Sequence, residues 1–197
     1  MGVFNEKRSL NLRVWHWLNA IAIIGLMFTY IFRKTWFDKK DNALLIQNKL
    51  SEFGLSLTDE NAVIVAKLLR EQMWNWHYIF GFILVVLLAF RFFAFLSRSE
   101  TCPLTKIKES KNIHQKGARV MHLLFYIVTF LICLTGVLLY FKDDLNIAKS
   151  FVGFMKDMHK LSFWFYLFFI SSHIFGVIKA ETTTDKGIIS EMFNGGK

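Results

Sequence analysis

HKLSFWFYLFFISSH, residues His159 to His173, is the most informative stretch of this 197-residue chain. It is an apolar, aromatic-rich run with a histidine at each end, as expected of a membrane-spanning helix. The two histidines are fourteen residues apart. At about 100° and 1.5 Å per residue, that step returns to nearly the same helix face about 21 Å further along. One helix therefore offers two imidazoles, one near each of its ends.

Three more apolar segments reach a similar length. About 20 residues of helix cross a hydrocarbon core of roughly 30 Å, and continuously apolar runs favour helices over strands in lipid. The sequence therefore predicts an all-α fold: an integral membrane four-helix bundle forming a single membrane domain over residues 1–197. The predicted spans are Val14–Phe32, Trp76–Leu96, Val120–Phe141 and His159–Ile178.

The composition supports a membrane location and indicates an orientation. The chain is 54% hydrophobic with a mean hydropathy of +0.36, above the apolar content of ordinary soluble domains. Its net charge of +9 does not indicate nucleic-acid binding, because the basic residues are spread over both sides of the predicted spans. Lysine and arginine number twelve on the side of the termini and ten on the other. The positive-inside rule therefore predicts cytoplasmic termini.

The segments outside the spans differ in character. The connection between the first two spans, residues 33–75, is long for a compact bundle, so we expect it to be a functional outer loop. Leu44–Leu50 and Asp59–Arg70 have helical patterning within it, with Thr58 as the N-cap of the second helix. We expect this loop to cap the outer ends of the bundle, to dock another subunit, or to do both. The tail over 181–197 is expected to be loosely ordered.

Histidines supply the chemistry of the spans. Ionisable groups are costly in a membrane, and apart from Arg91 and Lys160, which lie near span ends and can reach the surface, the spans contain no Asp, Glu, Lys or Arg. His16 begins the first span, at the depth of His173, and His77 begins the second, at the depth of His159.

Two imidazoles at each of two depths are the arrangement that holds two haems. The chain has no C-x-x-C-H motif, so any haem must be bound non-covalently as haem b. His122 enters the third span at about the depth of His16, and His114 lies just before it. Depth alone therefore allows either His16 or His122 to be a ligand beside His173.

The motifs around these histidines resemble a known family. They are Arg13-Val-Trp-His-Trp-Leu-Asn19, Trp76-His77, His114-x-x-Gly-x-Arg-x-Met-His122 and the fourteen-residue pair. Together they look like the di-haem b-type cytochromes, which include bacterial cytochrome b561, the b-type cytochrome subunit of nickel-iron hydrogenases and the gamma subunit of membrane formate dehydrogenases.

The resemblance implies a site and a function. It pairs His16 with His173 and His77 with His159 as axial haem ligands, and it places no ligand on the third helix. It also implies a bacterial inner-membrane subunit of an oxidoreductase complex in a respiratory chain, transferring electrons between quinone and an outer-face redox partner. Asn112, His114, Lys116 and Arg119 lie at the depth of the inner haem and are candidate contacts for quinone or haem propionate.

The sequence is also compatible with two other functions. One is a standalone b561-type oxidoreductase, for example one that oxidises superoxide and reduces quinone. The other is a histidine-based ion transporter, which the two separate depths and the lack of carboxylates in the spans disfavour.

Overall fold

The structure is a computed structural model that describes residues 9–97, 103–108, 113–183 and 186–196. Within these ranges every regular element is a helix and there is no strand, which confirms the all-α prediction. The helices are α1 (Leu10–Lys34), α2 (Lys39–Glu52), α3 (Asp59–Leu69), α4 (Glu71–Leu96), α5 (Pro103–Lys108), α6 (Ile113–Tyr140), α7 (Lys149–Thr183) and α8 (Ile188–Asn194).

Four of the described helices, α1, α4, α6 and α7, are long and apolar enough to cross a membrane. They correspond to the four predicted spans and contain 25, 26, 28 and 35 residues. Large apolar side chains such as Phe92, Phe168 and Phe175 are exposed on them, as expected of surfaces that face lipid. Helix α7 begins ten residues before His159, so this histidine lies well inside a helix rather than at its start.

The chain forms two compact units. The small unit is Ala20–Ile83, and it contains most of α1, both helices of the long connection and the start of α4. The large unit combines the chain up to Asn19 with Leu84–Lys197.

Helices α2 and α3 of the small unit are the two helices expected in the long connection. They pack through small side chains, since Ala43, Ala62 and Ala66 are buried together. Thr58 is the N-cap of α3, as predicted, and its hydroxyl accepts a hydrogen bond from the Asn61 amide. Asp38 caps α2 in the same way, and the hydrogen bond from the Lys40 amide lowers the pKa of its carboxyl.

The C-terminal residues of the large unit are more helical than the sequence led us to expect. Helix α7 continues to Thr183, and α8 begins at Ile188. The Glu181 carboxylate accepts hydrogen bonds from the amides of Gly187 and Ile189, which satisfies backbone groups at the start of α8. The sequence signal was weak because α8 has only seven residues and its cap comes from the preceding helix.

Candidate haem-binding site

Three histidines of the large unit meet at one level and form a cluster of His16, His122 and His173. The ring centroids of His16 and His173 are 6.2 Å apart with their planes at 46°. Those of His122 and His173 are 6.0 Å apart with their planes at 75°. The structure therefore brings together the predicted pair, and it brings His122 as close to His173 as His16 is.

These distances can be compared with what a haem requires. Metal–imidazole bonds are about 2 Å long, so the centroids of two imidazoles on opposite sides of one iron lie about 6 Å apart. The separation between His16 and His173 fits that requirement. The separation between His122 and His173 fits it equally well, so ring distance alone does not choose between the two possible partners of His173.

The surroundings of this cluster are aromatic. His173 stacks on Phe169 with centroids 5.9 Å apart and planes at 5°, and Phe169 in turn stacks on Phe125 at 4.8 Å. The rings of Trp17 and His16 meet edge to face, with their centroids 5.1 Å apart. Flat apolar side chains of this kind suit a porphyrin, whose faces are apolar and aromatic.

His159 lies on α7 of the large unit, fourteen residues before His173, and it contacts α6. Its Nδ1 is 3.2 Å from the Thr135 hydroxyl, and that hydroxyl is also 3.0 Å from the carbonyl oxygens of Leu131 and Ile132. Gly136 lies beside the imidazole, and a Cβ atom at this position would be 3.2 Å from Cε1 of His159. Glycine therefore allows the imidazole to approach the backbone of α6 closely.

His77 lies on α4 of the small unit in a similar environment. Its Nδ1 is 2.8 Å from the Thr29 hydroxyl, which donates to the Leu26 carbonyl at 2.7 Å. The ring of Trp74 meets His77 edge-on at 5.4 Å. Each of these two histidines thus has a threonine of its own unit at Nδ1.

The hydrogen bonds bear on the roles of the ring nitrogens. A hydroxyl has one hydrogen, so a threonine that donates it to a carbonyl can only accept from the imidazole. The contacts of His77 and His159 are compatible with the tautomer in which Nδ1 carries the proton and Nε2 carries the lone pair that can bind a metal. This is the tautomer that haem ligation through Nε2 requires.

The comparisons with known proteins identify the family. The family model described as prokaryotic cytochrome b561 matches residues 7–195, which is nearly the whole chain. The chain belongs to the prokaryotic cytochrome b561 family. It is therefore a multi-pass membrane cytochrome of the b type that binds haem b and takes part in electron transfer. The searches of curated proteins and of solved structures give no match.

One residue of this cytochrome was missed by the sequence reasoning. We expected Arg91 to extend towards the membrane surface, but its side chain is buried, with 7% of the residue exposed. The guanidinium lies 5.0 Å from the centre of the Trp15 ring and 4.9 Å from that of Phe95, and it donates a hydrogen bond to the Tyr126 hydroxyl at 3.2 Å. The available signal was an arginine in an apolar run among many aromatic residues.

The four candidate quinone or propionate contacts are only partly covered by the structure. Asn112 lies outside the described residues, and so does the side chain of His114, whose backbone is in the first turn of α6. Lys116 is exposed and Arg119 is half-buried, and both precede His122 on α6. The candidates that can be located therefore lie within two turns of the cluster of His16, His122 and His173.

Proposed function

We propose that this cytochrome transfers electrons across the membrane, through two b-type haems, between a quinone pool and a redox partner on the outer face. The observation that carries the proposal is the continuous helix α7, which holds both His159 and His173. Their fourteen-residue spacing corresponds to about 21 Å along the axis. One helix can therefore supply a ligand to each of two separate haems.

His16 and His173 are the proposed ligands of one haem. Their 6.2 Å separation and the aromatic side chains around them support this pair. We assign His16 rather than His122 because the di-haem cytochromes that the sequence resembles have no ligand on the third spanning helix. His122 would then lie beside this haem without binding its iron.

His77 and His159 are the proposed ligands of the other haem. They belong to different compact units, so the support for this pair is the chemistry of each histidine within its own unit. In each case a threonine hydroxyl lies at hydrogen-bonding distance from Nδ1, and a hydrogen bond donated by Nδ1 would leave Nε2 as the ligand atom. Their matching depths in the predicted topology add to this support.

The protein residues have separate tasks in this function. A bound haem exchanges one electron at a time. The four histidines hold and orient the group, and the apolar and aromatic side chains around His173 exclude water. Lys116 and Arg119, with Asn112 and His114, are the proposed polar contacts for quinone or for the haem propionates.

The small unit is the proposed docking site for the redox partner, such as a hydrogenase or a formate dehydrogenase. Helices α2 and α3 bury three alanines against the partly buried side chains of Ile46, Leu57 and Val63, and they leave other large apolar side chains exposed. Exposed apolar surface of this kind is typical of protein–protein interfaces. The exposed side chains include Leu44, Leu45, Phe53, Ile64 and Leu68.

Haem content tests the proposed ligands directly. We expect His77→Ala and His159→Ala each to remove about half of the haem per mole of protein, because one of the two sites loses a ligand. We expect His16→Ala and His173→Ala to remove the other half. A pyridine haemochrome assay on protein purified from membranes measures the amount, and the reduced-minus-oxidised spectrum shows which haem remains.

His122→Ala is the matched control, because His122 is as close to His173 as His16 is. The proposal requires this variant to keep both haems. Loss of one haem from His122→Ala but not from His16→Ala would show that His122 on α6, and not His16, is the ligand. Loss of the same absorption band in all four ligand variants would contradict the two-haem proposal.

Purification from native membranes tests the partner. We expect the cytochrome to copurify with a redox subunit, and charged substitutions at Leu45 or Leu68 should release that subunit without loss of haem. A cytochrome that purifies alone and reduces quinone with superoxide as electron donor would instead be a standalone enzyme. Family membership removes the main reason to consider a histidine-based ion transporter.

A further inference from the structure

The two histidines of the second proposed pair have the same hydrogen-bonded neighbour. Thr29 contacts Nδ1 of His77 at 2.8 Å in the small unit, and Thr135 contacts Nδ1 of His159 at 3.2 Å in the large unit. The two contacts are built from different helices, α1 with α4 and α6 with α7. The arrangement therefore occurs twice, independently, at the two residues proposed to share one iron.

Each threonine is itself held by its own helix. The Thr29 hydroxyl donates to the carbonyl of Leu26, three residues earlier. The Thr135 hydroxyl is within hydrogen-bonding distance of the carbonyls three and four residues earlier. A hydroxyl that donates its hydrogen to such a carbonyl presents an oxygen lone pair to Nδ1. Both hydroxyls are therefore placed to accept a hydrogen bond from the imidazole.

An acceptor at Nδ1 changes the electronic character of the ligand. An imidazole that donates its Nδ1 hydrogen is a stronger electron donor through Nε2, and hydrogen bonds to the ligands are one means by which proteins tune haem potentials. Stronger donation stabilises the oxidised, more positively charged iron. The result is a lower reduction potential than the same ligands would give in an apolar environment.

We propose that Thr29 and Thr135 are positioning residues that hold His77 and His159 in the Nδ1-protonated tautomer and lower the reduction potential of the haem these histidines bind. The proposal rests on the ligand roles given under Proposed function. It adds two residues to the site, and it predicts that one of the two haems has a potential set in part by threonine hydroxyls.

The test uses isosteric replacement in the full-length haem-loaded protein. Thr29→Val and Thr135→Val keep the shape of the side chain but remove the hydroxyl acceptor. The Ile132 carbonyl, which also forms a hydrogen bond with His159, remains in Thr135→Val, so we expect the larger change in Thr29→Val. Thr29→Ser and Thr135→Ser keep the hydroxyl. Matched controls are Thr35→Val, just after the end of α1, and Thr182→Val on α7. Among the contacts described, these hydroxyls bond only to backbone carbonyls three or four residues earlier. The measurements are haem content, potentiometric titration followed in the visible spectrum, and low-spin ferric EPR.

We expect each valine variant to raise the potential of one haem and to leave the other unchanged. The expected change is several-fold in the equilibrium constant of reduction, up to about tenfold, which is about 59 mV for a one-electron couple. Both valine variants should affect the same haem and shift its EPR signal. The serine variants should restore the potential, and the two controls should match the unmodified protein.

The outcomes separate this inference from the proposed function. If His77→Ala removes one haem but neither valine variant shifts a potential, the inference fails and the ligand assignment stands. If His77→Ala and His159→Ala both retain two haems, the ligand assignment itself fails. If a valine variant loses haem, the reduction potentials of Thr29→Ser and Thr29→Ala are compared instead. Equal haem potentials in these two variants would contradict the proposed role of the hydroxyl.

Discussion

At the scale of single residues, Arg91 shows how a charged side chain is kept inside an apolar helix bundle. A charge at the centre of a membrane costs on the order of 2.5–3.5 kcal/mol on insertion scales. Contacts with the faces of Trp15 and Phe95 offset part of that cost, since a desolvated cation–π contact contributes up to about 2 kcal/mol. Because its guanidinium group is planar, Arg91 can lie over an aromatic ring and donate a hydrogen bond to Tyr126 at the same time.

Arg91→Lys should therefore destabilise the protein although it keeps the charge. A lysine ammonium cannot stack in this way, and we expect the free energy of unfolding to fall by about 1 kcal/mol. Thermal unfolding in detergent measures the change. A double-mutant cycle with Tyr126→Phe provides the control, because the effects of the two substitutions should not add. Unchanged stability in Arg91→Lys would show that the aromatic contacts contribute little.

At the scale of helices, close approach depends on small residues. In the small unit, Gly25 of α1 lies against the ring of Phe80 on α4, and a Cβ atom at position 25 would be 2.7 Å from that ring. Small residues allow helices to pack closely in membranes, where packing rather than hydrophobic burial drives association. The position of Gly25 thus sets the separation of α1 and α4 at this level.

Gly25→Ala should loosen this helix contact. The added methyl group requires the Phe80 ring to move, and overpacking of this kind costs about 1–3 kcal/mol. We expect a lower thermal unfolding temperature in detergent, with recovery in the double variant Gly25→Ala/Phe80→Leu. Gly81→Ala is the matched control, because a Cβ atom at position 81 meets nothing within 4 Å. Equal effects of Gly25→Ala and Gly81→Ala would contradict the close-contact explanation.

At the scale of the whole molecule, the sequence was most informative where long patterns repeat. The four spans, the helices of the long connection and the Thr58 cap follow from apolar run length, helical spacing and one capping residue. Tertiary contacts were not predictable in this way. Spacing along the chain placed His122 at the depth of His173, but it predicted neither their ring contact nor the aromatic environment of Arg91. The threonine partners of His77 and His159 were missed for the same reason.

The predicted orientation can be tested on intact cells. Because the margin of twelve to ten basic residues favours cytoplasmic termini, Ser190→Cys on α8 should be protected from an impermeant maleimide. Phe53→Cys, in the connection between α2 and α3, should be labelled from the outside, since this position is exposed. Both variants would be made after replacing Cys102 and Cys133. The opposite labelling pattern would show that the termini lie on the outer side of the membrane.

Helix α7 has one further consequence for electron transfer. Because His159 and His173 belong to one uninterrupted helix, the axial distance between them cannot change without breaking that helix's own hydrogen bonds. A partner that shifts α7 on docking would move both imidazoles together. Tunnelling rates depend steeply on distance. If these histidines bind two haems as proposed, the electron step between the haems would therefore be unaffected by partner binding, and regulation would act on the steps that deliver electrons to them and remove electrons from them.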